Sequence, residues 1–266
     1  LVQRFWLYGY SLVVVSRNEV EIHQVLNDLP KRGNQTAISL TCDLGRPAEV
    51  AGLIERVKSS FPKLNDLLNN AAIQGPIGTL ESNDFAEWQS AVQVNLLAPV
   101  ALCQGLIPAL AANGGGAIIN LSGGGATGPR ANFSAYATAK AGLVRFSETL
   151  AKELKPKGIR VNSIAPGAMK TAMLDEVLAS GTAAGDRELS VANKVFEEGG
   201  ASMDRVADLA LFLASDPASG ITGKLISAVW DNWEKWPQYL DELSASDIYT
   251  LRRITGRDRG MSWGDK

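Results

Sequence analysis

The sequence predicts an α/β fold: a Rossmann-like, doubly wound parallel sheet held between two helical layers in an αβα arrangement. Two observations predict it. Short β-branched runs alternate along the chain with longer stretches of helical periodicity, the pattern of successive βαβ units. Those runs are apolar throughout instead of alternating, as strands covered on both faces require.

Taken in order, the strand runs are Ser11–Ser16 (SLVVVS), Ala37–Thr41 (AISLT), Asp66–Asn69 (DLLN), Ala117–Leu121 (AIINL), Ile159–Ile164 (IRVNSI) and Lys224–Ala228 (KLISA). Leu1–Tyr8 reads as the end of a helix. Asn18 is placed to cap a helix running to about Leu29, because its side chain can accept from the free amides of the first turn. Pro47 opens a helix ending near Ser59, at a position where its missing N–H is not needed. Ser134–Leu154 is a long amphipathic helix stopped by Pro156 and Gly158, and a shorter one covers Asp204–Ala214. Thr171–Gly200, rich in Ala, Gly and Glu, reads as a mobile helical insertion between the last two strands. The body is expected to span residues 1–229. A tail over 230–266, carrying Trp230, Trp233, Trp236, Trp263, Tyr239 and Tyr249, is expected to pack on that body or on a neighbouring subunit.

Composition removes several function classes. A net charge of −2 gives no electrostatic reason to expect nucleic acid or an anionic membrane as partner. Two separated cysteines, Cys42 and Cys103, argue against a disulfide framework and suit a cytoplasmic location. A single histidine, His23, excludes a histidine-ligated metal centre and a Ser-His-Asp hydrolase. No window is read as apolar for long enough to span a bilayer.

The chemistry lies in Tyr136-Ala-Thr-Ala-Lys140. A tyrosine and a lysine four apart on a helix share one face. A nearby ammonium favours the phenolate, which would make Tyr136 usable as a general acid/base. The spacing recurs by chance on many helices, so its setting matters. Asp66-Leu-Leu-Asn-Asn-Ala-Ala72 ends one strand, Asn95 lies on the next helical segment, and Ile118-Ile-Asn-Leu-Ser122 ends another. Ile159-Arg-Val-Asn-Ser-Ile-Ala-Pro-Gly167 ends a third, with Thr171 four residues beyond. In this order, over roughly Ser11 to Ser227, the pieces resemble the short-chain dehydrogenase/reductase family.

The resemblance implies hydride transfer between a nicotinamide cofactor and a small-molecule carbonyl or secondary alcohol. Tyr136 would protonate the carbonyl oxygen or deprotonate the alcohol. Lys140 would hold the nicotinamide ribose, Asn95 would position a water behind Lys140, and Ser122 is the candidate hydroxyl donor to the reacting oxygen. Asn70, Ala71 and Ala72 would border the cofactor; Pro166, Gly167 and Thr171 would wrap its nicotinamide end; Asp43 and Leu44 match the position beside the adenine. Arg17 stands after the first readable strand, where an acid would favour NAD(H) and an arginine favours the 2′-phosphate of NADP(H). NADP(H) is therefore the expected cofactor, ahead of NAD(H). The helices around Asn95–Leu110 and Ser134–Leu154 suit the family's helix-paired homodimer or homotetramer.

Three departures accompany the resemblance. The family's catalytic serine falls at Gly123, one place after Ser122. The final glycine of its Asn-Asn-Ala-Gly is Ala72. Its glycine-rich cofactor loop and first strand are not found; Gly123-Gly-Gly-Ala-Thr-Gly128 has the GxGxxG spacing, but Pro129 and Arg130 follow where a helix should open. The expected sheet is thus short of a central strand, with about thirty further N-terminal residues anticipated from the size of a βαβ unit. The alternative function is a non-catalytic or truncated relative with a binding or assembly role.

Overall fold

In the computed structural model, which describes residues 1–263, six parallel strands form two sheets. They are β1 (Leu12–Ser16), β2 (Ala37–Thr41), β3 (Asp66–Asn69), β4 (Gly116–Leu121), β5 (Ile159–Ala165) and β6 (Leu225–Ser227), each within one residue of its expected ends. The first sheet pairs β1 with β2; the second runs β3-β4-β5-β6. The ten α-helices are α1 (Val2–Leu7), α2 (Glu19–Asn27), α3 (Pro47–Ser60), α4 (Phe85–Val92), α5 (Ala98–Ala112), α6 (Ser134–Leu154), α7 (Ala172–Ala179), α8 (Asp186–Glu198), α9 (Met203–Ala214) and α10 (Leu240–Ala245). Asn18 caps α2 as its sequence position predicts, its Oδ1 accepting from Val20 N (3.1 Å) and Glu21 N (3.2 Å).

Alternate residues of β4 feed opposite layers, as the two-residue period of a strand dictates. Ala117, Ile119 and Leu121 pack with Val206, Leu209 and Leu213 of α9, Phe5 of α1 and the tail residues Trp233 and Trp236. Ile118 packs with Cys103 and Leu110 of α5 and Leu150 and Leu154 of α6. α3 completes that second layer, Val50, Leu53 and Val57 meeting Leu102 and Leu106 of α5.

The two sheets meet without a ladder, where the sequence reading left a strand missing. Leu12 and Leu68 reach one apolar cluster, and Val13, Val15 and Leu67 reach another, so β1 and β3 share side-chain packing while no backbone pairing joins them. β1 and β2 are accordingly only half-buried, whereas β4 is buried along nearly its whole length. Tyr10, just before β1, donates its hydroxyl to the Asp66 carboxylate at the start of β3.

One expectation needs correction. Phe85–Ala112 is long and apolar enough to cross a membrane, with a mean hydropathy of 1.7 over its best window. The sequence reading placed a helix only around Asn95–Leu110; a π-helical turn at Gln93–Leu97 joins α4 to α5 into one 28-residue helical stretch. Half of that window is buried, α5 lying in the core with Leu102, Cys103, Leu106 and Leu110 covered.

Candidate active site

All the strands are parallel, so their carboxyl ends line one edge, where open α/β sheets bind ligands. The sequence-predicted residues lie along it: Arg17 after β1, Asp43 and Leu44 after β2, Asn70–Ala72 after β3, Ser122 after β4, and Pro166 and Gly167 after β5. Thr171 follows as the residue before α7, its carbonyl accepting from Leu174 N (2.8 Å).

Tyr136 and Lys140 lie one turn apart on the buried face of α6, 7% and 2% exposed. The Lys140 ammonium is 5.7 Å from the centre of the Tyr136 ring and donates to Leu121 O at the end of β4 (2.7 Å). Burial holds Lys140 down to about 8. Burial also raises Tyr136 above the usual phenol range, and the charge opposing that rise is Arg130. The Arg130 guanidinium and the Lys140 ammonium stand at the same distance, 5.7 Å, from the centre of the Tyr136 ring.

The glycines before α6 are there for close approach. A β-carbon at Gly123 would collide with the Tyr136 hydroxyl, and one at Gly125 would stand 2.6 Å from the Ala137 β-carbon. No helix opens within the run; it is a loop that lets α6 press on the end of β4. Ser122, by contrast, is buried, its amide donating to Ile164 O (2.8 Å) while its hydroxyl has no hydrogen-bond partner among the described residues.

Asn95 is fully buried in the π-helical turn. Its Oδ1 accepts from Ile73 N (3.1 Å) and its Nδ2 donates to Ile73 O (2.8 Å), which fixes the loop carrying Asn70–Ala72. Asn69, behind that loop, donates to Asn120 Oδ1 (2.8 Å), and Asn120 donates to Ser147 Oγ (2.8 Å) on α6. This buried chain ties β3, β4 and α6 together, and the sequence reading missed it because only strand register brings Asn69 opposite Asn120. Asp43 closes its own turn, accepting from Gly45 N (2.9 Å), and Arg17 is exposed. Gly167 adopts a left-handed φ of 82°, with Val229 and Ala201 against it.

A family model described as Enoyl-(Acyl carrier protein) reductase matches residues 1–228. An uncharacterized short-chain type dehydrogenase/reductase of Sinorhizobium fredii is 34% identical over 229 residues, covering 84% of this chain and 86% of its own. The chain belongs to the short-chain dehydrogenase/reductase family. Among other relatives, D-beta-hydroxybutyrate dehydrogenase of Rhizobium meliloti is 30% identical over 213 residues, covering 78% of this chain and 82% of its own. The crystal structure of L-sorbose reductase from Gluconobacter frateurii, complexed with NADPH and L-sorbose, superposes with a TM-score of 0.74 at 29% identity, over 85% of this chain and 88% of that one. The chain is thus an oxidoreductase of the dehydrogenase/reductase type on a Rossmann-like fold.

Proposed function

We propose that this oxidoreductase moves hydride between NADP(H) and a small-molecule carbonyl or secondary alcohol, with Tyr136 as general acid/base. The observation that carries the reading is the burial of Tyr136 and Lys140, one turn apart, at the open end of β4. The nicotinamide end of such a cofactor fits the residues present. An ammonium has three N–H donors, and Leu121 O takes one of Lys140's, which leaves two for a ribose diol. Gly167 and its left-handed turn let the backbone pass close beside a flat ring. At the pyrophosphate end, no glycine-rich loop opening a helix stands among the described residues.

The cofactor would supply or take the hydride. Tyr136 holds the proton at its hydroxyl, in a site too buried for bulk water to compete. Lys140 orients the ribose; Asn95, through Ile73, holds the Asn70–Ala72 loop beside it and would place a water behind Lys140. Ser122, just past the end of β4, keeps a buried hydroxyl without a hydrogen-bond partner among the described residues. Arg17, exposed after β1, supports the preference for a 2′-phosphate, with Asp43 and Leu44 flanking the adenine. Pro166, Gly167 and Thr171 would close over the nicotinamide. We place the protein in the cytoplasm as a homodimer or homotetramer, on its two free cysteines and the long helices α5 and α6.

Fluorescence titration with NADPH beside NADH tests the cofactor, and turnover on D-3-hydroxybutyrate, cyclohexanol and L-sorbose tests the chemistry. Saturable NADPH binding, weakened in Arg17→Ala, and turnover reduced about 10²–10⁴-fold in Tyr136→Phe support the reading. No binding of either nucleotide overturns it and leaves the second reading, a relative that keeps the fold without turnover. Gly123, where the family carries its serine, is the observation favouring that alternative.

A further inference from the structure

The loop joining β4 to α6 touches the helical segment after Thr171 at two places. Asn132, held in left-handed backbone at φ 66°, accepts on its carbonyl from Gly78 N (2.9 Å) and lies against Gly185, the residue before α8. Two residues earlier, Arg130 Nε donates to Glu188 Oε2 of α8 (2.8 Å). Both side chains are largely shielded, 16% and 23% exposed, so their charges are felt locally instead of being lost to solvent. The same guanidinium lies 3.7 Å over the Phe133 ring and 5.7 Å from the centre of the Tyr136 ring.

The charged groups facing Tyr136 are therefore few. Lys140 comes from its own helix, its ammonium 5.7 Å from the ring centre and donating one N–H to Leu121 O, and it is common to every variant compared below. Arg130 comes from the loop before it, and Glu188, from α8, stands behind Arg130. The end of β4 offers only Ser122 and Gly123, which carry no charge.

We propose that Arg130 and Glu188 form a charge pair that sets the proton affinity of Tyr136, making Arg130 a positioning residue whose field Glu188 partly cancels from α8. This rests on the reading of Tyr136 as the acid/base. Arg130 alone favours the phenolate, the base that alcohol oxidation needs. Glu188 returns the balance toward the phenol, the acid that carbonyl reduction needs. The two partners thus pull Tyr136 in opposite directions, although both are needed for the same structural bridge.

That opposition separates an electrostatic role from a merely structural one. The full chain is labelled with 3-fluorotyrosine, and each of the five tyrosines is followed by ¹⁹F NMR against pH, the Tyr136 signal being the one lost in Tyr136→Phe. Neither substrate nor cofactor is required, so a catalytically inert Tyr136 would sink the functional reading without touching this measurement. In Arg130→Gln the Tyr136 midpoint should move alkaline by about 0.5–2 pH units, the size expected for one charge near 6 Å in a partly shielded site. In Glu188→Gln it should move the other way, and Arg130→Lys should stay close to the parent. Shifts of the same sign in Arg130→Gln and Glu188→Gln, or none in either, overturn the proposal. Should Arg130→Gln fail to fold, Glu188→Gln decides alone: an acid shift supports the pair, and an alkaline shift or none overturns it.

Discussion

The Tyr136 hydroxyl rests against Gly123, so close that the smallest side chain there would occupy the hydroxyl's place and stand 3.0 Å from the Tyr136 Cε1. Gly123 is not in the left-handed region, so its backbone would accept serine. The obstacle is the contact alone. Gly123→Ser should therefore cost about 1–3 kcal/mol of stability, the usual price of overpacking. Placing the same change in Tyr136→Phe removes the colliding oxygen and should recover much of that loss. Denaturant unfolding of the four proteins in this cycle checks it; additive losses would mean that the contact is not the cause.

Lys140 should cost stability where it serves function. Burial holds its ammonium down to about 8, below its unfolded value near 10.5. The unfolded chain then binds more protons between those values, so the penalty is complete below pH 8 and fades as pH rises toward 10.5. Lys140→Met removes about 3 kcal/mol of penalty at pH 7 and loses about 1 kcal/mol with the Leu121 hydrogen bond. A net gain of about 2 kcal/mol at pH 7, shrinking steadily above pH 8, is expected in thermal unfolding without nucleotide. A loss at pH 7 would show that the buried ammonium stabilises the fold.

Much of this was legible in the sequence. The strands were readable because those of a covered parallel sheet are apolar on both sides, and β4 and β5 are buried along their length. Tyr136 and Lys140 were readable because helix geometry alone places residues four apart together. Arg130 was not, since its meaning depends on Glu188, 58 residues away on another element. The continuity of Phe85–Ala112 was hidden because a π-helical turn shifts the hydrophobic period that marks a helix. The closeness of Gly123 to Tyr136 follows from how α6 packs, which no local pattern records.

Across the gap between the sheets, Asp66 is a carboxylate in an apolar setting. Burial pushes it up to about 6, against the hydrogen bonds from Ala117 N (2.9 Å) and Tyr10. The folded value lies above the unfolded one near 3.9, so stability falls as pH rises between them and the penalty is complete above pH 6. Asp66→Asn keeps an acceptor for Ala117 N, offers an amide N–H that the Tyr10 hydroxyl oxygen can accept, and removes the charge. It should stabilise the protein at pH 7.5 by about 1 kcal/mol, reduced from the full shift because Asp66 is partly solvated. Near pH 4 the difference should vanish. Melting curves at the two pH values test this, and equal effects at both would rule out the carboxylate's charge as the cause.

Asn95 offers a sharper test, because its amide makes one donor and one acceptor contact to the same residue. Asn95→Asp keeps the acceptor for Ile73 N but turns a second carboxylate oxygen toward Ile73 O, which also accepts. At neutral pH the fully buried site then holds an unpaired charge and two facing acceptors, and a loss of about 2–3 kcal/mol is expected. Protonation restores the lost donor, since a carboxylic acid presents one O–H and one acceptor oxygen. The variant's deficit should therefore shrink as pH falls toward the unfolded carboxylate value near 4. Asn95→Ala has nothing to protonate, and its deficit should stay level with pH. Unfolding free energies of both variants between pH 5 and pH 8 check the pair, with NADPH affinity as the second readout, since Ile73 follows directly on Asn70–Ala72 in the same loop. Parallel pH profiles for the two variants would show that Asn95 fills space instead of clamping that loop.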